Sequence, residues 1–424
     1  MSVVRDLRVL LCLRDFRRLL AVRLLSQGAD GVYQVALAAY VVFSPEKQTS
    51  PAAIASAMAV LLLPYSLVGP FAGVLLDRWR RRQVFLHGNL LRALLAAVTA
   101  ALMAGDVPDW LFYASALCVT AVNRFVLSGL SAALPRVVDT DRLVLANSLS
   151  PTAGTLAATA GGGLAFAVRL IASGSDAAVV LLGAVLYLGA ALTSLTMAPG
   201  LLGPDRHPAR PSLRTAVLAT TRDLREAIRH LAAPRRREAA WALFSMTAMR
   251  FCYGALLVLV LMLCRYALSS GPDNGLALLG LALGLSGAGF FAAAVMTPWA
   301  AGRLGPARWI IVCAASAAVL EPALGLSFTT VPMLVAAFVL GLITQGAKIA
   351  TDTIVQSSVD DSFRGRIFSV YDVLFNVAFV GAAGVAALML PPDGRSAALV
   401  VTVALLYAAV AAAMARYEAQ REKQ

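Results

Sequence analysis

The sequence predicts an all-α integral membrane protein with twelve transmembrane helices in two pseudo-symmetric six-helix bundles. Three observations predict it. Of 424 residues, 59% are hydrophobic and only 14% are charged, against roughly 25% charged in an ordinary soluble domain. The apolar residues fall in a dozen runs near the length of about 20 residues that a bilayer-spanning helix needs. Short loop patterns in the first half recur, in weaker form, in the second. Each run is helical because lipid offers no partner to an open backbone, and the runs are too long and too uniformly apolar for barrel strands.

In chain order, residues 1–18 carry Arg5, Arg8, Arg14, Arg17 and Arg18 on one side and Val3, Leu7, Leu10 and Leu11 on another. This predicts a cytoplasmic amphipathic segment on the inner membrane surface. A cleaved signal peptide is not expected, because the first apolar run is long, interrupted by polar residues and followed by no convincing cleavage site. A first bundle over residues 19–198 holds spans near 19–43, 52–76, 84–104, 110–134, 144–171 and 177–198. A basic linker, 199–238, follows, with nine arginines and Leu213, Val217, Leu224, Ile228 and Leu231 at helical spacing. It reads as a helix on the inner leaflet, or as a segment that senses or docks anionic lipid. The second bundle, 239–415, holds spans near 239–264, 275–301, 308–328, 332–356, 366–390 and 396–415, and residues 416–424 form a tail.

The net charge of +13 is topological and not a nucleic-acid footprint. Arg and Lys cluster in the N-terminal stretch, Arg78 to Arg82, Arg136 and Arg142, the linker, Arg303 and Arg308, Arg364 and Arg366, and the tail. The opposite loops hold Lys47, Arg169, Arg265 and Arg395. The positive-inside rule therefore places both termini and the linker in the cytoplasm, with the chain in the plasma membrane. Cys12, Cys118, Cys252, Cys264 and Cys313 lack ligand spacing and read as core thiols. Neither a metal nor a cofactor is expected. His87, His207 and His230 show no ligand pattern, and no phosphate-cradling G-x-x-x-x-G-K-[ST] loop is present, so ATP does not drive this chain directly. No room remains for a soluble catalytic domain, and an enzyme is not expected.

The loop after the second span reads Gly73-Val-Leu-Leu-Asp77-Arg78-Trp79-Arg80-Arg81-Arg82, and Pro298-Trp-Ala-Ala-Gly302-Arg303 holds the corresponding place after the eighth. Val138-Asp139-Thr-Asp141-Arg142 and Val359-Asp360-Asp361-Ser-Phe-Arg364 form a second such pair. Parallel repetition of six helices follows. Through Gly73, Asp77, Arg78, Arg81 and Arg82 the chain resembles the major facilitator superfamily, whose second-to-third-helix loop bears G-x-x-x-D-R-x-x-R-R. Phe363 to Ser369, with Leu143 to Asn147, resembles more narrowly the drug-exporter branch related to macrolide and enterobactin efflux proteins. A departure lies in the fifth span, where exporters carry G-x-x-x-G-P-x-x-G-G. Gly154, Gly162 and Gly163 are kept, but Ala158-Thr159 replaces the central Gly-Pro.

Buried charge marks the candidate functional residues. Asp30 lies mid-span, where an ionised carboxylate costs about 2.5 to 3.5 kcal/mol on insertion scales. Arg23, Gln27, Asp30 and Gln34 fall at spacings of four, three and four, forming a polar stripe that reads as a cavity lining. Asp30 is then either a protonatable switch or a permanently paired carboxylate. Arg124, beside Thr120, Asn123, Ser128 and Ser131, is the expected partner of Asp30. The resemblance implies that the first and fourth helices both line a central cavity. Arg250, Glu321, Lys348 and Asp352 are the second half's buried charges. Lys348 and Asp352 can satisfy each other at four-residue spacing, and Glu321 precedes Pro322, so it can mark a kink. The substrate cavity is expected to draw on Gln27, Tyr33, Gln34, Asn123, Phe125, Gln345 and Asn376. Gly73, Asp77, Arg78, Arg81, Arg82 and Arg303 form the expected cytoplasmic gate, with Asp77 pairing across the bundles in one conformation and releasing in another.

The resemblance implies a monomeric, proton-coupled secondary transporter exporting small amphipathic or lipophilic compounds. A lipid or lysophospholipid transporter of the same fold is the nearest alternative, and a non-transporting membrane sensor or scaffold built on the basic linker is the other. The cost of burying Asp30 and Arg124 argues against a scaffold.

Overall fold

A computed structural model describes residues 8–40, 79–105, 109–139, 143–171, 175–203, 213–231, 233, 236–269, 271–359 and 361–421. The fold is all-α. The helices are α1 (Arg14–Ala38), α2 (Arg81–Ala104), α3 (Asp109–Ala133), α4 (Leu143–Ile171), α5 (Asp176–Ser194), α6 (Leu213–Leu231), α7 (Arg237–Met262), α8 (Pro272–Leu304), α9 (Pro306–Gly325), α10 (Thr330–Ser358), α11 (Asp361–Met389) and α12 (Ala397–Arg421). Helix α6 occupies the expected linker, and each other helix coincides with an expected span. The second span, 52–76, lies outside the described residues, as do Gly73, Asp77 and Arg78 of the gate motif.

Among the described residues, ten helices are long and apolar enough to cross a membrane; α1 and α6 are not among them. In α1 the reason is the charge that also makes it interesting, namely Arg14, Arg17, Arg18, Arg23 and Asp30. Many apolar side chains are exposed on the isolated chain, among them Leu94, Leu156, Val185, Phe291 and Leu405, as expected where lipid tails are the solvent. Cys252, Cys264 and Cys313 are buried, but Cys12 and Cys118 are exposed, which corrects the reading of those two as core thiols.

The described residues divide into two compact units, one carrying α1 to α5 and the other α7 to α12, with the division inside α6. In the first unit α1 packs on α4 and α5, and α2 packs on α3 and α5. In the second, α7 packs on α11 and α12, and α9 packs on α10 and α12. These four pairings correspond one to one under the parallel repeat, so the internal symmetry is a property of packing as well as of loop motifs. Helix α8 adds a close crossing with α10.

Small residues permit the closest approaches. A Cβ at Gly31 of α1 would collide with the backbone carbonyl of Ala158 on α4, and one at Gly161 would collide with the carbonyl of Gly28. Helix–helix association in lipid depends on such van der Waals contact because no hydrophobic force separates helix from tail. Ala158, standing where many exporters have glycine, is thus a backbone contact point of the α1–α4 seam. Helix α6 is tied to the start of α11 by Arg366, which lies 3.4 Å from Asp223 and 3.7 Å from Glu226.

Candidate functional site

A buried polar cluster joins α1, α2, α3 and α5 at mid-height. Asp30 and Ser26 lie one turn apart on α1, and Asn89 and Arg92 share a face of α2 at three-residue spacing. The Arg92 side chain is fully buried and donates from Nη1 to Asp30 Oδ1 at 2.8 Å and to Asn123 Oδ1 at 3.1 Å. Its Nη2 donates to Ser26 Oγ and to Asn89 Oδ1. The guanidinium also lies over the Tyr187 ring, 4.4 Å from the centroid. The Tyr187 hydroxyl donates to the same Asp30 oxygen at 2.7 Å. One carboxylate therefore holds one cation and one phenol from two other helices.

The physical logic is that of a compensated buried pair. Removing two charges from water costs several kcal/mol per ion, and only good geometry with further hydrogen bonds offsets it. Arg92 receives that geometry from four side-chain acceptors on three helices. The pair is consequently sensitive to the loss of any one partner.

Two smaller polar contacts lie along α1 on either side of the cluster. Toward its start, Arg23 donates to Gln27 Oε1 at 3.1 Å and to Ser150 Oγ of α4 at 2.7 Å. Toward its end, Tyr33 Oη and Thr99 Oγ1 of α2 are 3.1 Å apart, and Thr99 meets Ser115 of α3 at 2.8 Å. The predicted polar stripe is therefore divided. Arg23 and Asp30 are buried, Gln27 is half-buried, and Gln34 is exposed.

The expected Asp30–Arg124 pair is corrected: the bonds to Asp30 come from Arg92 and Tyr187. Arg124 is half-buried on α3, while its neighbour Asn123 reaches the cluster. Phe125 packs against the apolar core of the first unit and meets Trp79 edge-on at 5.8 Å. Arg92 carried a legible signal, since it is an arginine mid-way along an apolar run with Asn89 one turn before it. Tyr187 carried none.

In the second unit, Lys348 Nζ bonds Asp352 Oδ2 at 2.7 Å on one face of α10. Gln345 is half-buried one turn earlier. Arg250 is framed by rings, with Phe375 at 4.2 Å, Phe379 at 4.3 Å and Tyr253 at 4.9 Å. Asn376 is half-buried and bonds the Asp372 carbonyl of its own helix. Glu321 is buried on α9, and its Oε1 has no hydrogen-bond partner among the described residues. Of the gate residues, Arg81 donates to the Leu202 carbonyl at 2.9 Å, Arg82 donates to the Leu195 carbonyl at 3.2 Å, and Arg303 lies over Trp299 at 4.4 Å. Arg81 and Arg82 thus tie the start of α2 to the turn that follows α5. No group of three or more metal-ligating side chains occurs among the described residues.

Among the described residues, ten helices long and apolar enough to cross a membrane, with buried compensated charge in the first unit, define a multi-pass membrane protein. A sequence profile of the Major Facilitator Superfamily matches residues 19–382, and the chain belongs to that superfamily. It is 38% identical over 404 residues to proteins of Mycobacterium bovis and Mycobacterium tuberculosis, each described as an uncharacterised MFS-type transporter, covering 94% of this chain and 90% of theirs. The fold resembles that of the nucleoside transporter NupG (TM-score 0.67, 15% identity, 94% of this chain and 98% of that one). It also resembles a mutant of the peptide transporter POT (TM-score 0.72, 13% identity, 95% and 94%). As a member of that superfamily, the protein is a membrane transporter.

Proposed function

We propose that this transporter exports small amphipathic or lipophilic compounds in exchange for protons, by alternating access of its two bundles, 19–198 and 239–415, joined by the linker 199–238. It acts as a monomer in the plasma membrane with both termini cytoplasmic. The observation that carries this reading is the buried Asp30–Arg92 pair with Tyr187 on the same oxygen. A proton placed on Asp30 cancels its attraction for Arg92 and turns the oxygen from acceptor toward donor. The contact that joins α1, α2 and α5 is then weakened at one point. Breaking a buried pair by neutralising one member costs about 3 to 5 kcal/mol, enough to bias two arrangements of a helical bundle. An exposed carboxylate would titrate without moving anything, so coupling requires this conditional pairing.

The cytoplasmic gate is assigned to Gly73, Asp77, Arg78, Arg81, Arg82 and Arg303. Efflux as the direction, and the drug-exporter branch, rest on the motif resemblance of Phe363 to Ser369 with Leu143 to Asn147, while Ala158-Thr159 in place of the exporters' central Gly-Pro counts against export.

The test is proton movement in energised inside-out vesicles, read with a pH-sensitive dye while a panel of lipophilic drugs is added. A compound that dissipates the gradient in wild type and not in Asp30→Asn supports proton-coupled export through Asp30. A correctly folded wild type that responds to no compound removes drug–proton exchange, and lysolipid transport becomes the assay to run.

A further inference from the structure

A cavity of about 50 Å³ lies within the second unit alone, among α7, α8, α9, α10 and α12. It sits toward the helix ends remote from Arg237 and Arg308, bounded by Leu263 just past α7, Gly325 of α9, Met333 of α10 and Val400 of α12. Its lining is almost wholly apolar. Among the residues that line it, Glu321 is the one ionisable carboxyl, 4% exposed, and Oε1 is without a hydrogen-bond partner among the described residues. Among the described residues, no Lys, Arg or His lines the cavity. Arg250 touches the Tyr253 ring at 4.9 Å but is not part of the lining.

A carboxylate in such a place is costly unless it is paired, and the described lining residues supply no cation. The space exceeds the roughly 10 to 15 Å³ that one water needs, so it admits a molecule of a few heavy atoms. A bare metal ion is a poor occupant, because hard cations want about six oxygen ligands. The cavity offers Glu321 with the hydroxyls of Tyr253 and Ser286, themselves 3.5 Å apart. Water alone fits only the polar end, since each needs two to four polar partners and the rest of the lining is apolar. An ammonium group on a short hydrocarbon tail satisfies both parts of the lining. The charge meets Glu321 and the face of an aromatic ring, and the tail meets Leu283, Leu340 and Ala337.

The backbone points the same way. Among the described residues Phe328, in the turn between α9 and α10, is the one non-glycine residue with positive φ, at 47°, and it lines this cavity. A bulky residue in the left-handed region is strained, and strain of this kind clusters at ligand clamps.

We infer that this intra-bundle cavity binds a small alkylamine as its ammonium, paired with Glu321 beneath Phe328. A neutral amine meeting the protonated acid and an ammonium meeting the carboxylate form the same ion pair, and no covalent bond changes apart from the site of one proton. The inference goes beyond the exporter reading and does not depend on it, since the site lies inside one bundle and its occupancy is read without a gradient.

The experiment is isothermal titration of the purified full chain in lipid nanodiscs with n-propylammonium chloride, using n-propanol as the uncharged comparator. The variants are Glu321→Gln, which keeps the shape and removes the charge, and Ala337→Phe, which keeps the carboxyl and fills the space. Both are first checked for wild-type melting behaviour without ligand. Binding to wild type is expected, weakened by about tenfold or more in each variant and for propanol. Equal binding of propanol, retention of binding in Glu321→Gln, or no heat from wild type at millimolar amine overturns the site. If Glu321→Gln does not fold, the propanol comparison and Ala337→Phe decide.

Discussion

Tyr187 and Tyr407 occupy equivalent helices of the two units, and both are fully buried. Their surroundings differ in kind. The Tyr187 hydroxyl donates to a carboxylate oxygen at 2.7 Å, beneath a guanidinium that bonds the same oxygen and three further side-chain oxygens. The Tyr407 hydroxyl makes a long contact of 3.5 Å with the Met249 carbonyl, in a buried setting that also brings Cys252, Tyr253 and Glu321 near it. One unit thus places a charged knot where α1, α2, α3 and α5 meet. The other gives its tyrosine a backbone carbonyl as partner and keeps the buried carboxyl of Glu321 beside a cavity. Helix packing has been repeated while the chemistry at its centre has not, because ridge-and-groove contacts constrain size and a buried charge depends on every neighbour.

The sharpest way to break this comparison is to strip the knot of its cation. Arg92→Met should destabilise the protein by about 3 to 5 kcal/mol, since Asp30 is left buried and unpaired. Pairing it with Asp30→Leu should recover most of that loss. Thermal unfolding in detergent of the two single variants and the double closes the cycle, and additive effects would mean that the two groups do not interact.

A smaller effect is expected at the tyrosines. Tyr187→Phe removes a hydrogen bond to a charged acceptor, for about 1.5 to 3 kcal/mol, whereas Tyr407→Phe removes a long neutral one, for about 1 kcal/mol or less. Melting temperatures measured side by side give the order, and a reversed order would place the charged knot elsewhere. The seam between α1 and α4 offers a third contrast. Gly31→Ala drives a Cβ into the Ala158 backbone, and overpacking of this sort costs about 1 to 3 kcal/mol. Gly254→Ala, at the corresponding α7–α11 seam, meets the Phe379 carbonyl oxygen at 3.1 Å and should cost less. The check is the same unfolding assay, with Gly163→Ala, which meets nothing within 4 Å, as the neutral reference.

The smallest effect belongs to the linker. Arg366→Ala cuts the contacts to Asp223 and Glu226, which are partly exposed. Pairs of this kind are worth about 0 to 1 kcal/mol and fade with salt. Protease accessibility of α6 should rise at low ionic strength and match wild type at high salt.

How much of this was readable beforehand differs between fold and site. Span positions followed from run lengths, because a helix in lipid must be apolar over about 20 residues whatever it packs against. Asp30 stood out because mid-span charge is costly wherever it points. Its partner did not follow, since Arg92 and Arg124 both lie in apolar runs. Selecting between them requires the rotation of α2 and α3 about their axes, which residue spacing within one helix does not contain. Lys348 and Asp352 were the opposite case, being four residues apart on a single helix, where local geometry brings them together.

By itself, then, the sequence determined the solvent, the helical class and the two-fold repetition, because each follows from composition and period along one chain segment. The tertiary structure decided that Arg92 and Tyr187 share the Asp30 oxygen, that Gly31 meets the Ala158 carbonyl, and that Glu321 faces a cavity. Those outcomes depend on how separate helices rotate and cross, and crossing is set by the fit of side chains from segments distant in the chain.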